Sequence, residues 1–315
     1  MSETRRVLVV THTGRPDALA ATQQACEQLI SEGITPVMTS VELIESRRYT
    51  AEQLLAQDVM TVVEELDVDC VAEDLELVMV LGGDGTILKA AEIVREAQIP
   101  LMGINLGHVG FLAESERDGL VDAVHRIVAK DYLVKERLTL DVTVIVDGVE
   151  VYRTWALNEA TVEKSARERM MEVVVEVDRR PLSSFGCDGI VMATPTGSTA
   201  YAFSAGGPVV WPSVEALLLV PLSAHALFAR PMVISPNSLL AVEVLRRSAG
   251  HGVLWCDGRR TRELAPGARV EVRRSDKSVR LARLRQGPFT DRLVKKFALP
   301  VAGWRGPDDS KGSGA

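Results

Sequence analysis

Cysteine is scarce and scattered in this chain. Its four cysteines, Cys26, Cys70, Cys187 and Cys256, lie far apart, with no CxxC pair and no histidine at metal-ligand spacing. This pattern argues against a disulfide framework and gives no sign of a zinc site. We therefore expect reduced thiols that are mostly buried.

Long apolar runs are also missing. No run approaches the roughly 18 residues that a membrane-spanning helix requires. The first residues lead into a strand-like segment without the apolar stretch and cleavage site of a secretory signal. We therefore expect a cytoplasmic protein that does not enter a membrane.

The chain has no excess of basic charge. Its 43 acidic and 36 basic residues give a formal net charge of −7. Proteins that bind nucleic acids usually carry a basic surface, so we expect no nucleic-acid partner. A small phosphorylated ligand remains compatible with this balance, because backbone N–H groups and one or two cations are enough to hold it.

What the sequence does have is a change in the spacing of its apolar residues near residue 138. Before it, short apolar runs such as Arg6–Thr11 and Leu77–Leu81 alternate with helical patterns, which we place over 17–29 and 52–66. This predicts an open, mostly parallel sheet with helices on both faces. After it, apolar residues nearly alternate with polar ones, as over 138–146, which predicts a mainly β domain.

The predicted domain organisation follows from this change, since 315 residues are enough for two domains. We predict a three-layer α/β domain over residues 1–138 and a mainly β domain over 139–285. A carboxyl-terminal segment over 286–305 is expected to return to the first domain. The polar tail over 306–315 is expected to be disordered.

A glycine-rich turn follows the apolar run Leu77–Leu81, where α/β sheets bind their ligands. It consists of Gly82, Gly83, Asp84, Gly85 and Thr86. The glycines let the backbone approach phosphate oxygens, and the threonine can cap the helix that follows.

The aspartate of this turn needs a reason, because a carboxylate repels phosphate. It can accept a proton from an attacking hydroxyl or position a divalent metal, and we assign Asp84 the first task. The alternative is that Asp84 only supports a tight Asp-Gly turn.

The GGDGT turn resembles that of several kinase families. NAD kinases and lipid kinases of the diacylglycerol and sphingosine types share it, and ATP-dependent phosphofructokinases have a GGDG form. Three further segments resemble NAD kinases: GINLGHVGFL over 103–112, the pair Asn158-Glu159, and the run over 186–208 that contains TPTGSTAYAFSAGGP. The chain therefore resembles NAD kinases of the bacterial, actinobacterial type over about residues 6–300.

The resemblance assigns roles to several residues in the second half of the chain. Asn158 and Glu159 are expected to hold the adenosine half of NAD, and Asp188 to contact the nicotinamide side. Asp257 stands where the family has a further polar residue, and we give it little weight. The dinucleotide pocket is expected to be lined by Thr199, Ala200, Tyr201, Ala202, Phe203 and Ser204.

Three other positions match the family and also have a plain structural explanation. Phe111 offers a flat apolar surface for an adenine or ribose, or is an ordinary core residue. Lys89 and Arg169 are expected to meet phosphates, or are solvated surface charges.

The resemblance implies NAD kinase activity, with transfer of a phosphoryl group to the 2′-hydroxyl of the adenosine ribose. ATP is the expected donor, with other nucleoside triphosphates or polyphosphate as further candidates. Mg²⁺ or another divalent cation is expected to arrive with the donor phosphates, without a dedicated protein site. Family members are typically homo-oligomers, so a homodimer or homotetramer is expected.

Two alternatives stay open at this point. A lipid kinase of the diacylglycerol or sphingosine type would share the GGDGT turn and have an exposed apolar pocket. A non-catalytic protein that senses NAD(H) or NADP(H) would use the same pocket without turnover. Asp84 argues against the second alternative, because a pure binder has no need of the carboxylate.

Overall fold

The computed structural model describes residues 4–52, 59–106, 110–112, 115–116, 119–165, 170–284 and 287–301. The chain divides into two compact units. The first comprises the described residues of Met1–Lys135 and Arg280–Ala315, and the second is Glu136–Val279. No helix within these described ranges is long and apolar enough to cross a bilayer.

The regular elements are numbered in chain order. The strands are β1 (Arg6–Thr11), β2 (Thr35–Met38), β3 (Glu64–Glu65), β4 (Leu77–Leu81), β5 (Leu101–Asn105), β6 (Ser115–Glu116), β7 (Leu133–Arg137), β8 (Leu140–Val146), β9 (Val149–Ala156), β10 (Glu159–Lys164), β11 (Met171–Val177), β12 (Arg180–Cys187), β13 (Gly189–Ala193), β14 (Leu217–Leu222), β15 (Met232–Ile234), β16 (Leu240–Val244), β17 (Gly252–Cys256), β18 (Arg260–Leu264), β19 (Arg269–Arg274) and β20 (Val279–Arg283). The helices are α1 (Pro16–Ser31), α2 (Ser40–Glu52), α3 (Asp84–Val94), α4 (Leu120–Val128), α5 (Tyr201–Ser204) and α6 (Phe289–Phe297).

The sheet of the first unit has the order β3-β2-β1-β4-β5-β20-β7, and β6 also pairs with β5. The pairs from β3 through to β20 are parallel. Strand order reverses between β1 and β4, and Thr11 lies opposite Leu81 at the carboxyl ends of these two strands. That point of reversal is where open α/β sheets bind ligands.

The core of the first unit explains its continuous apolar strands. β4 and β5 are buried along their whole length. Val9, Met79 and Met102 of the sheet share one apolar cluster with Leu29 of α1 and Val124 of α4. The α/β class predicted for this half of the chain is confirmed.

The helix predicted over 52–66 is wrong. The helix of this region is α2, at Ser40–Glu52, and 59–61 form a single 3-10 turn. Glu64 and Glu65 then pair with β2. The β-branched valines 59, 62 and 63 favour extended backbone, so pairing with the sheet edge prevails over a weak helical pattern. Residues 53–58 lie outside the described part of the chain.

The second unit contains two six-stranded antiparallel sheets, ordered β15-β14-β13-β10-β17-β18 and β12-β11-β16-β19-β8-β9. Inward side chains of both sheets share one apolar cluster, with Val142 and Val270 from one sheet and Met192 and Leu254 from the other. This confirms the mainly β class predicted for this half of the chain. Tight Asp-Gly turns join neighbouring strands at 147–148 and 257–258, and all four residues have positive φ.

Candidate active site

The GGDGT turn lies beyond the carboxyl end of β4. The Gly82 N–H donates to the carbonyl of Ile104 at 3.0 Å, which ties the turn to the end of β5. A β-carbon on Gly82 would collide with the side chain of Thr86, so this position requires glycine. The prediction that Thr86 caps the following helix is wrong. Gly83 is the N-cap residue of α3, with no side-chain cap bond among the described residues, and Thr86 is buried beneath the turn.

Asp84 is the first residue of α3, and its carboxylate is held by a second segment. The Phe111 N–H donates to Oδ2 and the Leu112 N–H donates to Oδ1, both at 3.1 Å. A β-carbon on Gly110 would run into the same carboxylate, 3.1 Å from Oδ2. Two motifs that are separate in sequence therefore meet at Asp84. Residues 107–109 of the second motif lie outside the described residues.

Two arginines, Arg283 (buried) and Arg292 (half-buried), add positive charge near Asp84, and the sequence analysis missed both. Burial, followed by the charge of Arg292, lowers the pKa of Arg283 to about 9, while the charge of Asp84 opposes this. Burial also lowers the pKa of Arg292, again opposed by Asp84. Arg292 donates through Nη1 to the carbonyl of Phe111 at 2.8 Å. The signal available in the sequence was an arginine closing the apolar strand β20.

Phe111 is buried against the carboxyl-terminal helix. Its ring centroid lies 6.0 Å from that of Phe289 and 5.8 Å from that of Phe297, both in α6. With an exposed fraction of 9%, the ring anchors this helix on the turn that holds Asp84. These contacts favour the core role considered for Phe111, and binding of an adenine or ribose stays a prediction.

Lys89 of α3 faces α2. Its Nζ lies 2.5 Å from Oε1 of Glu42, whose side chain is fully buried. The ammonium group therefore compensates a buried carboxylate. Phosphate binding by Lys89 stays a prediction, and Arg169 lies outside the described residues.

In the second unit, Asn158 and Glu159 lie where β9 gives way to β10, and both are buried. Burial, followed by the charges of Asp257 and Glu163, raises the pKa of Glu159 to about 8, while a backbone N–H of Tyr201 opposes this. Oε2 of Glu159 has no hydrogen-bond partner among the described residues. A buried carboxyl group with a free oxygen is suited to a ligand hydroxyl.

The loop that starts at Thr194 and contains Gly197 packs directly against the Asn158-Glu159 pair. Thr194 donates through Oγ1 to the carbonyl of Leu157 at 2.6 Å and through its N–H to the carbonyl of Asn158 at 2.9 Å. A β-carbon on Gly197 would stand 2.8 Å from Cα of Asn158. The loop then leads into α5, whose first residue, Tyr201, contributes the N–H near Glu159.

The predicted lining residues differ in exposure. Tyr201, Phe203 and Ser204 are exposed, and Thr199 and Ala200 are half-buried. Ala202 is fully buried in an apolar cluster with Val191 and Val220, so its side chain is part of the core.

Asp188 forms an ion pair with Lys164, with 2.5 Å between Oδ1 and Nζ. The hydrogen bond from Lys164 lowers the pKa of Asp188, whose side chain is about half exposed.

Asp257 is the residue that the sequence analysis undervalued. Its carboxylate accepts the N–H groups of Leu157 at 2.9 Å, Asn158 at 2.7 Å and Glu159 at 3.4 Å. Arg260 donates to it through Nη2 at 2.7 Å. The turn containing the predicted pair is thus built around this one carboxylate.

Comparison with protein families now adds to this geometry. The model described as ATP-NAD kinase N-terminal domain matches residues 7–132, and the model described as ATP-NAD kinase C-terminal domain matches residues 157–284. The chain belongs to the NAD kinase family. The two matches fall in both units and include Asp84, Asn158, Glu159 and Asp257.

Curated NAD kinases are similar over nearly the whole chain. The NAD kinase of Leifsonia xyli is 62% identical over 98% of this chain and 99% of its own length. The NAD kinase of Thermobifida fusca is 58% identical over 98% of this chain and 94% of its own length. Both relatives are actinobacterial, as the resemblance implied.

Solved structures of NAD and NADH kinases share the fold. A yeast NADH kinase complexed with NADH has a TM-score of 0.82 at 19% identity and covers 96% of this chain and 89% of its own. An NAD kinase from Archaeoglobus fulgidus in complex with ATP has a TM-score of 0.67 at 22% identity and covers 94% of this chain and 100% of its own.

These findings confirm the predicted activity. The chain is an enzyme of the NAD kinase family that phosphorylates NAD. They also decide against the two alternatives, a lipid kinase and a non-catalytic sensor of NAD(H) or NADP(H).

Proposed function

We propose that the enzyme transfers the terminal phosphoryl group of ATP to the 2′-hydroxyl of the adenosine ribose of NAD, giving NADP. The observation that carries this proposal is the fixed carboxylate of Asp84 at the start of α3, within a glycine-rich turn. A carboxylate in this place suits proton abstraction from an attacking alcohol.

Asp84 acts as the general base in this proposal. Each carboxylate oxygen takes one backbone N–H from the segment 110–112, which leaves lone pairs for a substrate hydroxyl. Because the two N–H groups fix the orientation of the carboxylate, little reorganisation is needed when the proton moves. Positioning and charge stabilisation then account for most of the rate, as in other phosphoryl transfers.

The donor phosphates are proposed to bind at the GGDGT turn. α3 begins at this turn, and the N–H groups of a helix N-terminus favour phosphate; Arg283 and Arg292 add positive charge near Asp84. ATP is the proposed donor because the matching family models are those of ATP-NAD kinases. Other nucleoside triphosphates or polyphosphate present the same phosphate chemistry.

A divalent cation, Mg²⁺ or a related ion, is proposed to arrive with the donor. No group of three His, Cys, Asp or Glu side chains within the described ranges is placed to hold a metal ion. The lone pairs left on the Asp84 carboxylate fit a cation that is held mainly by phosphate oxygens. Such a cation would neutralise charge on the transferred group.

Binding of NAD in the second unit is proposed to use Asn158 and Glu159 for the adenosine half. The raised pKa of Glu159 leaves its carboxyl largely protonated at neutral pH, so it can both donate to and accept from ribose hydroxyls. Tyr201 and Phe203 offer exposed aromatic surface, and Asp188 is assigned to the nicotinamide side.

The assembly and location of the enzyme belong to the same proposal. We infer a cytoplasmic homodimer or homotetramer, in line with the resemblance to NAD kinases. Sedimentation at working concentration tests the assembly, and a strict monomer would contradict it. Fractionation of cells that express the protein tests the location.

The test of the reaction is a coupled assay with NAD, ATP and Mg²⁺, in which an NADP-specific dehydrogenase detects the product. Asp84→Asn should lower turnover by about 10²–10⁴-fold or more, while NAD still binds. Asp74→Asn is a matched control, because the Asp74 carboxylate also accepts a backbone N–H, that of Val71 at 3.1 Å. Full activity of Asp84→Asn would overturn the assignment of the base.

A further inference from the structure

The carboxylate of Asp257 sits inside a turn that belongs to a distant part of the chain. Its side chain is 1% exposed, and it accepts three consecutive backbone N–H groups, those of 157, 158 and 159. The first and second of these are 100 and 99 residues away in sequence. One carboxylate therefore organises the whole connection from β9 to β10.

This arrangement resolves a difficulty with the Asn158-Glu159 pair. Neighbouring residues on a regular strand point to opposite faces, so they cannot serve one ligand together. Three successive N–H groups converge on one acceptor only when the backbone curls around it. The curl interrupts strand geometry after Ala156, and β10 resumes only at Glu159.

The carboxylate is itself held on its other side. Arg260 donates to Oδ2 at 2.7 Å, and its guanidinium lies 4.5 Å from the ring centroid of Trp155, at the end of β9. The aromatic face and the ion pair together fix this guanidinium. Arg260 and Trp155 thus hold the carboxylate of Asp257 in place.

We propose that Asp257 is a positioning residue for NAD, which acts through the turn of Leu157, Asn158 and Glu159. Its carboxylate curls this backbone so that the side chains of Asn158 and Glu159 can face one ligand. Arg260 and Trp155 keep that carboxylate in place. The inference rests on the proposed role of Asn158 and Glu159 in binding the adenosine half of NAD.

The charges around Glu159 provide a readout that a purely structural role would not affect. Burial is the largest cause of the raised pKa of Glu159, and the charges of Asp257 and Glu163 raise it further. Cys256, Tyr201 and Arg260 are the other titratable or charged groups of this cluster. Removing the charge of Asp257 lowers the pKa of Glu159. The pH dependence of NAD affinity then shifts to lower pH, whichever form of Glu159 binds NAD.

The test uses Asp257→Asn, which preserves the shape but replaces one acceptor oxygen with an NH₂ group. The KM for NAD should rise ~10-fold or more because the turn loses charge-assisted bonds, while the KM for ATP changes less than ~2-fold. The pH midpoint of NAD affinity should move down. Amide hydrogen exchange at 157–159 should accelerate, and this readout needs no substrate.

Asp178→Asn is the matched control. Asp178 also has positive φ in a tight turn of the second unit, and it accepts the Leu239 N–H at 2.9 Å and the Ser238 hydroxyl at 3.0 Å. Its loss should affect stability without changing the KM for NAD or the pH midpoint. If Asp257→Asn fails to fold, Arg260→Lys provides the second variant, which keeps the charge but loses the stacked planar guanidinium.

The outcomes separate this inference from the function on which it rests. If Glu159→Gln and Asn158→Ala leave NAD affinity unchanged, the proposed role of the pair is wrong and the inference falls with it. If those variants weaken NAD binding but Asp257→Asn changes neither the KM for NAD nor the pH midpoint, the role of the pair stands and the inference is overturned. For the second variant, an Arg260→Lys protein with wild-type KM for NAD and wild-type exchange at 157–159 also overturns it.

Discussion

Gly197 lies against the backbone of Asn158 so closely that a β-carbon on Gly197 would stand 2.8 Å from Cα of Asn158 and 2.5 Å from its carbonyl carbon. Backbone atoms cannot yield as the end of a flexible side chain can. Gly197 is required here because the loop crosses directly over the turn, and its φ is not the reason.

The first prediction is that Gly197→Ala destabilises the second unit by about 1–3 kcal/mol or more, because the added methyl group forces the loop away from Asn158. The KM for NAD should rise with it. Urea unfolding and NAD-dependent kinetics provide the measurements. Gly287→Ala is the control, since a β-carbon there meets no atom of the described residues within 4 Å; equal effects of the two changes would contradict the explanation.

The second prediction concerns pH and Glu159, whose pKa rises from an ordinary value of 4.5 to about 8 in the folded protein. Between these values the native state holds a proton that the unfolded state releases. The stabilisation is therefore complete below about pH 4.5 and is lost as pH rises through about 8, by a few kcal/mol in order of magnitude. Urea unfolding from pH 5 to 9 should show this decline, and Glu159→Gln should flatten it. A variant with the slope of the wild type would refute the assignment.

The third prediction concerns Arg292, which joins α6 to the segment that holds Asp84. Arg292→Met keeps the apolar stem but loses the bond to the carbonyl of Phe111 and the charge near Asp84. We expect kcat to fall ~10-fold, because the segment 110–112 loosens, with a higher KM for ATP. Lys295→Met, on the exposed side of the same helix, is the control and should leave both constants near wild type.

The fourth prediction concerns the thiols. Burial raises the pKa values of Cys26, Cys187 and Cys256 to about 12, and Cys70 is also buried with a raised pKa. Because the thiolate is the reactive form, the native enzyme should react very slowly with a disulfide reagent. All four thiols should react after unfolding in denaturant. Rapid reaction of any of the first three in the native state would show that its burial is not maintained in solution.

The sequence was informative wherever a local pattern carries the physical cause. β4 is a continuous apolar run because it is buried on both faces, and GGDGT follows it directly, so that strand and turn were predictable together. The hairpin turn at Asp147-Gly148 was predictable because positive φ at both positions favours these residues. Strand β3 was not predictable, and a helix was wrongly predicted over 52–66, since the pairing of β3 with β2 is a tertiary effect.

The contacts around the site could not be predicted, because they join residues that are distant in sequence. Asp257 meets Asn158 across 99 residues, and Arg292 meets Phe111 across 181. A carboxylate in a tight turn and an arginine in an amphipathic helix look like ordinary surface residues in a single sequence. Lys89 was predicted to bind phosphate because it is close in sequence to the glycine-rich turn. Its ion pair with Glu42 could not be predicted from the sequence.

The discontinuity of the first unit has a consequence for biosynthesis. Its sheet is completed by β20, and the arginine that meets Phe111 belongs to α6, so both emerge from the ribosome only after all of Glu136–Val279. The second unit is one continuous stretch and can be finished first. We therefore expect nascent chains stalled with residues up to about 280 outside the ribosome to resist protease in the second unit while the first remains cleavable. The first unit, most of which is translated before the second, therefore completes its fold last.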